Sequence, residues 1–194
     1  MATKVKPVPD GFHTITPYLV VDGAEKVIRF MKEAFGAQPV FEPMMRPDGK
    51  IMHAEFKIGD SVVMIADASE RAQATSDMLY LYVPNVDAVY QKALKAGATS
   101  LTEPADQFYG DRSGGVRDPA GNRWHIGTHI EDVAPAELKK RAAELAKQQN
   151  KAVVLGIEMF VEQAVRQFEI WTGESAPRSV MEKAAFEALE QKAM

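Results

Sequence analysis

The chain has 194 residues, of which 46% are hydrophobic and 26% charged, as is typical of a globular protein that buries its own core. With 23 basic and 27 acidic residues the formal net charge is −4, and no basic stripe is present, so we expect no nucleic-acid partner. The absence of cysteine excludes disulfides and thiolate chemistry, and the lack of a signal-like segment or of an apolar run of ~20 residues predicts a cytoplasmic protein without a membrane partner.

The first part of the chain contains one helix among several strands. Residues 1–12 are predicted to be an extended lead-in, because prolines and a glycine disfavour a helix there. A β-like run over 13–21 follows, and the apolar residues of 24–35 then share one face of an amphipathic helix that Gly36 ends. The strands predicted after this helix lie at about 38–45, 50–59 and 61–67.

The same order of elements then repeats. A strand at about 77–83 precedes a second amphipathic helix at about 86–96. The strands predicted after that helix lie at about 99–103, 111–117 and 122–130. The sequence therefore predicts an α+β domain over 13–134, made of two βαβββ modules at about 13–70 and 77–134.

Residues 135–194 differ in composition and are predicted to form a helical C-terminal extension. The second of three predicted helices, at about 151–172, carries an apolar seam with alternating steps of three and four residues, which is typical of helix–helix packing. The seam consists of Val154, Ile157, Val161, Ala164, Phe168 and Trp171. Such a seam must be covered, so the extension either caps the domain, mediates dimerisation or binds another protein. We expect a homodimer.

Three segments carry a resemblance to a known family: TPYLVVDGAEKVIRFMKEAFGA, KIMHAEFKIGDSVVMIAD and FYGDRSGGVRDPAGNRWHIGTHIEDVAPAEL. They are similar to the PhnB-like branch of the glyoxalase/bleomycin-resistance/dioxygenase (vicinal oxygen chelate) superfamily. The motifs most specific for this family are GDR and VRDPxGNRW, followed by THxEDV. The resemblance covers about residues 10–148. It implies that the two modules form a curved open barrel, with the helices outside and a ligand groove on the concave face.

The alternation of side chains along a strand indicates which residues face this groove. In the strand at 50–59 the apolar residues alternate with His53 and Glu55, which we place in the groove. Ile15, Pro17 and Leu19 are expected to face it from the first strand. The predicted ligand-binding residues are His53, Glu55, Met64, Met78, Tyr80, Tyr82, Phe108, Tyr109, Arg112 and His125.

The FYGDR segment has two interpretations. In the functional one, Arg112 pairs with a carboxylate or phosphate of the ligand while Phe108 and Tyr109 stack on it. In the structural one, Asp111 and Arg112 form an ion pair that orients the loop. The DPAGN segment at 118–122 is interpreted as a turn without a catalytic role.

Metal-dependent members of this family use one groove-facing position on the first and last strand of each module. The resemblance matches those positions to Ile15, Met64, Met78 and His125. Three of these four side chains are not ligands for a hard metal, so we expect no cofactor at the usual site. The alternative is a divalent metal held by His53, Glu55 and His125, because two histidines and a carboxylate are a ligand set of non-haem iron.

Three functions are compatible with these observations. The first is a protein that binds a small organic molecule in an aromatic, methionine-lined groove without a metal. The second is a metal-dependent lyase, isomerase or dioxygenase that uses His53, Glu55 and His125, and the third is an interaction module that works through its helical extension. The chain contains no nucleophile elbow, Walker loop or dinucleotide-binding motif, so a hydrolase, nucleotide-binding or dinucleotide-binding function has no local support. Whether the chain is an enzyme stays open.

Overall fold

The computed structural model describes residues 5–148 and 156–190. The chain divides into two compact units, Met1–Ala134 and Pro135–Met194. Among the described residues, no helix is both long and apolar enough to cross a membrane.

The first module forms one sheet with a helix against it. Its elements are β1 (Tyr18–Val21), α1 (Ala24–Phe35), β2 (Gln38–Pro39), β3 (Met44–Met45), β4 (Ile51–Ile58) and β5 (Ser61–Asp67). The strand order is β1-β5-β4-β2, with β1 parallel to β5, the other pairs antiparallel and β3 also paired with β4. The strand predicted over 38–45 is two short strands, because Pro39 and Pro43 have no amide hydrogen for a continuous ladder.

The start of α1 is fixed by the end of β5. Asp67 accepts hydrogen bonds from the backbone N–H groups of Gly23 and Ala24 at 3.0 and 2.8 Å, and from that of Ile51 at 2.8 Å. Although burial favours the neutral acid, these hydrogen bonds lower the pKa of Asp67 below its usual value. One carboxylate therefore holds α1, β4 and β5 together.

The second module repeats this connectivity. Its elements are β6 (Met78–Tyr82), α2 (Val86–Lys95), β7 (Thr99–Asp106), β8 (Asp111–Arg117) and β9 (Arg123–His129). The order is β6-β9-β8-β7, with β6 parallel to β9 and the other pairs antiparallel. The strand predicted over 99–103 continues to Asp106, because β7 is an edge strand whose register shifts accommodate Pro104.

A single hydrophobic core joins the two modules. Helix α1 packs against α2, and the buried Trp124 of β9 lies 4.9 Å from Phe35 and 6.2 Å from Phe30, measured between ring centroids. No strand pairing among the described residues connects the two sheets, so the barrel is open. The structure confirms the predicted α+β fold class.

The turn that joins β8 to β9 lies at the predicted residues, 118–122. The buried carboxylate of Asp118 accepts hydrogen bonds from the backbone N–H groups of Ala120 and Asn122, from the Asn122 side chain and from Trp124 Nε1, all at 2.8–3.0 Å. Gly121 has a φ of 98°, which explains its presence in the turn. Asp118 thus ties the hairpin to the core.

The second unit contains α3 (Pro135–Gln148), α4 (Gly156–Thr172) and α5 (Arg178–Glu190). Helix α4 packs against α5, and Arg178 of α5 pairs with Glu162 of α4 at 2.9 Å. Along the predicted seam Val161 is buried, Ala164 and Phe168 are half-buried, and Trp171 is 80% exposed. Val154 and the side chain of Ile157 lie outside the described residues.

Candidate functional site

The predicted site residues divide between the uncovered faces of the two sheets. We call the uncovered side of β1, β4 and β5 the first face and that of β6, β8 and β9 the second face. His53, Glu55 and Met64 lie on the first face, whereas the second face carries the remaining groove residues, Met78, Tyr80, Tyr82 and His125. Among the described residues no hydrogen bond or ring contact joins the two sets.

The first face contains a histidine–carboxylate pair. His53 Nε2 lies 3.1 Å from Glu55 Oε1, and its Nδ1 lies 3.4 Å from the Tyr18 hydroxyl. The Phe41 ring lies 5.9 Å from the His53 ring. Tyr18 and Phe41 were not among the predicted site residues, because their positions depend on the start of β1 and on the irregular segment before β4.

The segment before β1 borders this face. Residues 7–9, 12–14 and 16 line a cavity of about 480 Å³ together with Glu55 and Met64. The Glu55 side chain is only 12% exposed. The first face is therefore a partly covered pocket rather than an open groove.

The second face is open and aromatic. The Tyr80 and His125 rings are nearly parallel, 8° apart in orientation with their centroids separated by 6.3 Å, and the Tyr82 ring lies 5.0 Å from Tyr80. Met78 and Tyr80 are 64% and 47% exposed. A Cβ atom on Gly127 would lie 2.5 Å from the Tyr80 hydroxyl, so the glycine makes room for the tyrosine ring.

A buried carboxylate organises one end of the second face. Asp111, 3% exposed, accepts hydrogen bonds from the Tyr82 hydroxyl and from His129 Nδ1, each at 2.8 Å, and His129 Nε2 lies 3.0 Å from Asp132. Burial opposes ionisation of Asp111, but the hydrogen bonds from His129 and Tyr82 lower its pKa below the usual value. The same contacts act on the partners, since Asp111 and then Asp132 raise the pKa of His129, and Asp111 raises that of Tyr82.

The pKa of Tyr80 is also raised, first by burial of its phenol and then by Tyr109 nearby. Its hydroxyl lies 3.4 Å from Asp111. Both tyrosines are therefore neutral phenols over the physiological range of pH, and they offer hydrogen-bond donors and aromatic surface rather than charge.

The GDR and THxEDV motifs meet at this end of the sheet. The Gly110 carbonyl accepts hydrogen bonds from the N–H groups of Ile130 and Glu131, both at 2.9 Å, and a Cβ atom on Gly110 would overlap the Glu131 carbonyl oxygen. Thr128 accepts from the Val86 N–H at 2.8 Å and thereby fixes the start of α2. The motifs that carry the family resemblance thus build the support of the second face.

Arg112 lies on the helix-covered side of the sheet. Its guanidinium makes two hydrogen bonds of 2.8 Å to Asp87 of α2 and one of 2.9 Å to Asp106 of β7. The structural interpretation named Asp111 as its partner, and that pairing is wrong because consecutive residues of a strand point to opposite faces. Phe108 meets Tyr109 edge to face at 5.3 Å, and the Tyr109 hydroxyl lies 3.4 Å from Ser113 Oγ.

The register of the parallel strand pairs revises the positions considered for a metal. Tyr18 stands opposite Met64 in the first module, and Tyr80 stands opposite His125 in the second. The expected orientation of Leu19 toward the groove is wrong: it is buried on the helix side, because the strand begins at Tyr18 rather than at residue 13. Ile15 precedes β1, and it is 86% exposed.

The residues at these positions do not fit a hard-metal site, since only His125 is a usual ligand among them. The alternative set draws His53 and Glu55 from one sheet and His125 from the other. Within residues 5–148 and 156–190, no three histidine, aspartate or glutamate side chains are grouped so that they could hold a metal ion.

Comparisons with known proteins concern mainly the two modules. The sequence profile of the Glyoxalase/Bleomycin resistance protein/Dioxygenase superfamily matches residues 11–126. An uncharacterized protein of Mycobacterium bovis is 35% identical over 150 residues, which cover 72% of this chain and 94% of that protein. Among solved structures, TioX from Micromonospora sp. ML1 has a TM-score of 0.52 at 22% identity, covering 61% of this chain and 99% of TioX, a likeness of fold.

The helical extension matches a different family. The profile of the shikimate 5'-dehydrogenase C-terminal domain matches residues 156–186, a similarity that the helical periodicity of this segment does not predict. In addition, 57 residues are 39% identical to the shikimate dehydrogenase (NADP(+)) of Nitrosopumilus maritimus, covering 29% of this chain and 21% of that protein. The family matched by part of the second unit thus differs from the family matched by the first.

Proposed function

This chain belongs to the glyoxalase/bleomycin resistance protein/dioxygenase superfamily, and from that premise we propose that it binds a small organic molecule on the second face without a metal at the family's usual positions. The observation that carries the proposal is the exposed aromatic surface of Tyr80, Tyr82 and His125 beside Met78. Aromatic side chains with a few fixed polar groups are the usual composition of a small-molecule site.

The aromatic side chains of the second face are also ordered in the absence of a ligand. Asp111 fixes the Tyr82 hydroxyl, and the Tyr80 ring lies over Gly127 and parallel to His125. Because these rings are already ordered, a ligand that stacks on them loses little additional side-chain entropy. Tyr109, which is 40% exposed, extends the aromatic surface.

His53, Glu55 and Met64 of the first face join this groove only if the two faces come together. A homodimer would provide that arrangement if the first face of one copy covered the second face of the other. We therefore keep these three residues as proposed ligand contacts of the dimer. Phe108, at the edge of the second face beside Tyr109, is a proposed contact of the single chain.

Binding of a neutral aromatic probe tests the proposal. We expect N-phenyl-1-naphthylamine to bind the full chain, with its affinity reduced about tenfold in Tyr80→Ala, because stacking on one ring contributes on the order of 1 kcal/mol. Gly127→Ala, which displaces the Tyr80 ring, should weaken binding in the same direction. Trp171→Ala is the control, since Trp171 is an exposed aromatic residue of the second unit. Equal loss in Trp171→Ala, or none in Tyr80→Ala, would contradict the proposal.

The metal-dependent alternative retains one supporting observation, the contact of 3.1 Å between His53 and Glu55. It predicts a stoichiometric transition metal in protein purified without chelators, and loss of that metal in His53→Ala. The metal-free proposal predicts substoichiometric metal in both proteins, so metal analysis decides between them.

The third candidate, an interaction module, is favoured by the exposure of the neighbouring residues Ile170 and Trp171, at 79% and 80%. Large apolar side chains exposed side by side on a helix are typical of a surface that contacts another protein. In this case ligand binding on the second face and protein binding by the extension would be independent functions.

A further inference from the structure

Two arginines stand opposite each other on the second face, at the base of the β8–β9 hairpin. Arg117 and Arg123 are direct partners in the antiparallel register, and both are exposed. Their neighbours Val116 and Trp124 are buried on the helix side. Because side chains alternate along a strand, both guanidinium groups belong to the second face.

The proximity of two positive charges on paired strands is unfavourable in the absence of an anionic ligand. Cross-strand partners have Cβ atoms about 5 Å apart, and like charges at such positions destabilise a sheet. No carboxylate among the described residues forms an ion pair with either arginine, whereas Arg112 has two such partners. Asp118, which follows Arg117, is buried and accepts four hydrogen bonds from the turn and Trp124, so it is not available.

The arginine pair adjoins the aromatic part of the second face. Arg123 is in register with Met78, and the next pair on the same face is His125 with Tyr80. Two residues along a strand span about 6–7 Å, roughly the length of one aromatic ring with its substituent. The carboxylate of Asp111 lies six residues from Arg117, about 20 Å along β8, so the acidic end of the face does not neutralise the arginines.

We propose that Arg117 and Arg123 bind the oxyanion of an aromatic organic acid whose ring lies over Met78, Tyr80 and His125. This inference rests on the proposed function and adds the chemical class of the ligand. A guanidinium presents parallel N–H donors that match the two oxygens of a carboxylate or of a phosphate, and two guanidiniums on one face hold such a group from both sides.

A matched pair of fluorescent probes tests this assignment on the full chain. 8-Anilinonaphthalene-1-sulfonate has the skeleton of N-phenyl-1-naphthylamine with a sulfonate added. We expect Arg117→Gln and Arg123→Gln each to weaken binding of the sulfonate probe about tenfold and to leave the neutral probe unchanged, because a charge-assisted hydrogen bond is lost. Arg29→Gln, which removes the same charge from an exposed position on α1, should change neither affinity.

Competition against the sulfonate probe identifies the anion. Benzoate and phenyl phosphate should displace it from the wild-type chain, and benzamide of equal shape should not. If benzoate displaces it better the natural group is a carboxylate, and if phenyl phosphate does it is a phosphate monoester. Equal displacement by benzamide would overturn the inference.

Stability provides an independent readout. Because each substitution relieves repulsion between like charges, Arg117→Gln and Arg123→Gln should raise the thermal unfolding midpoint, whereas arginines with a merely structural role would lower it when replaced. A lowered midpoint with unchanged sulfonate affinity would overturn the inference while the Tyr80-dependent binding of the neutral probe stands. Loss of that Tyr80 dependence would instead remove the proposed function itself.

Discussion

His129 lies between the carboxylates of Asp111 and Asp132, and this position favours the protonated imidazolium. Its pKa is raised above the ordinary value, chiefly by Asp111 and then by Asp132. Because the folded pKa exceeds the unfolded value of about 6.5, this contribution to stability is fully present below that pH and is lost as the pH rises through the folded pKa.

The expected result is a decline in the urea midpoint of the wild-type chain as the pH rises above about 6.5 and through the folded pKa of His129, with a shallower decline in His129→Gln. His13→Gln, which removes an exposed histidine from the segment before β1, serves as the control and should follow the wild type. Parallel curves for the wild type and His129→Gln would show that the two carboxylates do not stabilise the imidazolium.

Asp111 and His129 show where prediction from the sequence ends at the scale of single residues. Both belong to motifs that were recognised, GDR and THxEDV, yet neither was included among the predicted site residues. They meet because β8 and β9 pair with Asp111 opposite His129. The register of two paired strands depends on the geometry of the turn between them and on how their buried faces align, so it cannot be predicted from the residues of one strand alone.

At the scale of elements, the β8–β9 hairpin depends on Asp118. We expect Asp118→Ala to lower the free energy of unfolding by about 3 kcal/mol or more, because it leaves several buried donors, including Trp124 Nε1, without an acceptor. Chemical denaturation measures this effect, and Asp48→Ala, in an exposed turn, should cost much less. A cost below about 1 kcal/mol in Asp118→Ala would mean that water or a rearranged turn satisfies these donors.

The elements themselves were predicted well where apolar residues alternate regularly. In β4 the alternation correctly placed His53 and Glu55 opposite the buried Ala54 and Phe56. In β1 it failed, because the run from 13 to 21 contains Pro17 and the strand begins only after it. An error in the starting residue then reverses every assignment along the strand.

At the scale of the whole molecule, the boundary between the two compact units falls between residues 134 and 135 of the sequence. We expect a chain that ends at residue 134 to unfold cooperatively and to keep the Tyr80-dependent affinity for the neutral probe, because that unit has its own hydrophobic core and contains the second face. Aggregation of the shortened chain, or loss of probe binding, would show that the extension is needed for the fold or the site.

Light scattering on the same two proteins addresses the expected homodimer. The full chain should have about twice the mass of one copy, which is 21.4 kDa. A shortened chain that remains dimeric would place the interface in the first unit, and one that becomes monomeric would place it in the extension. The sequence predicted the extension as helical, but the similarity of its middle part to shikimate dehydrogenases lay beyond what periodicity shows.

The duplicated pairing of first and last strands has a consequence for how substitutions are tolerated. Tyr18 opposite Met64 and Tyr80 opposite His125 occupy corresponding places in the two halves, yet Met64 lines a cavity with the segment before β1, whereas the ring of His125 is parallel to that of Tyr80. Deep mutational scanning should therefore separate the copies. Variants at Met64 would be selected for packing against the segment before β1 as well as for ligand binding, and those at His125 mainly for ligand binding, so two corresponding positions of the fold evolve under different constraints.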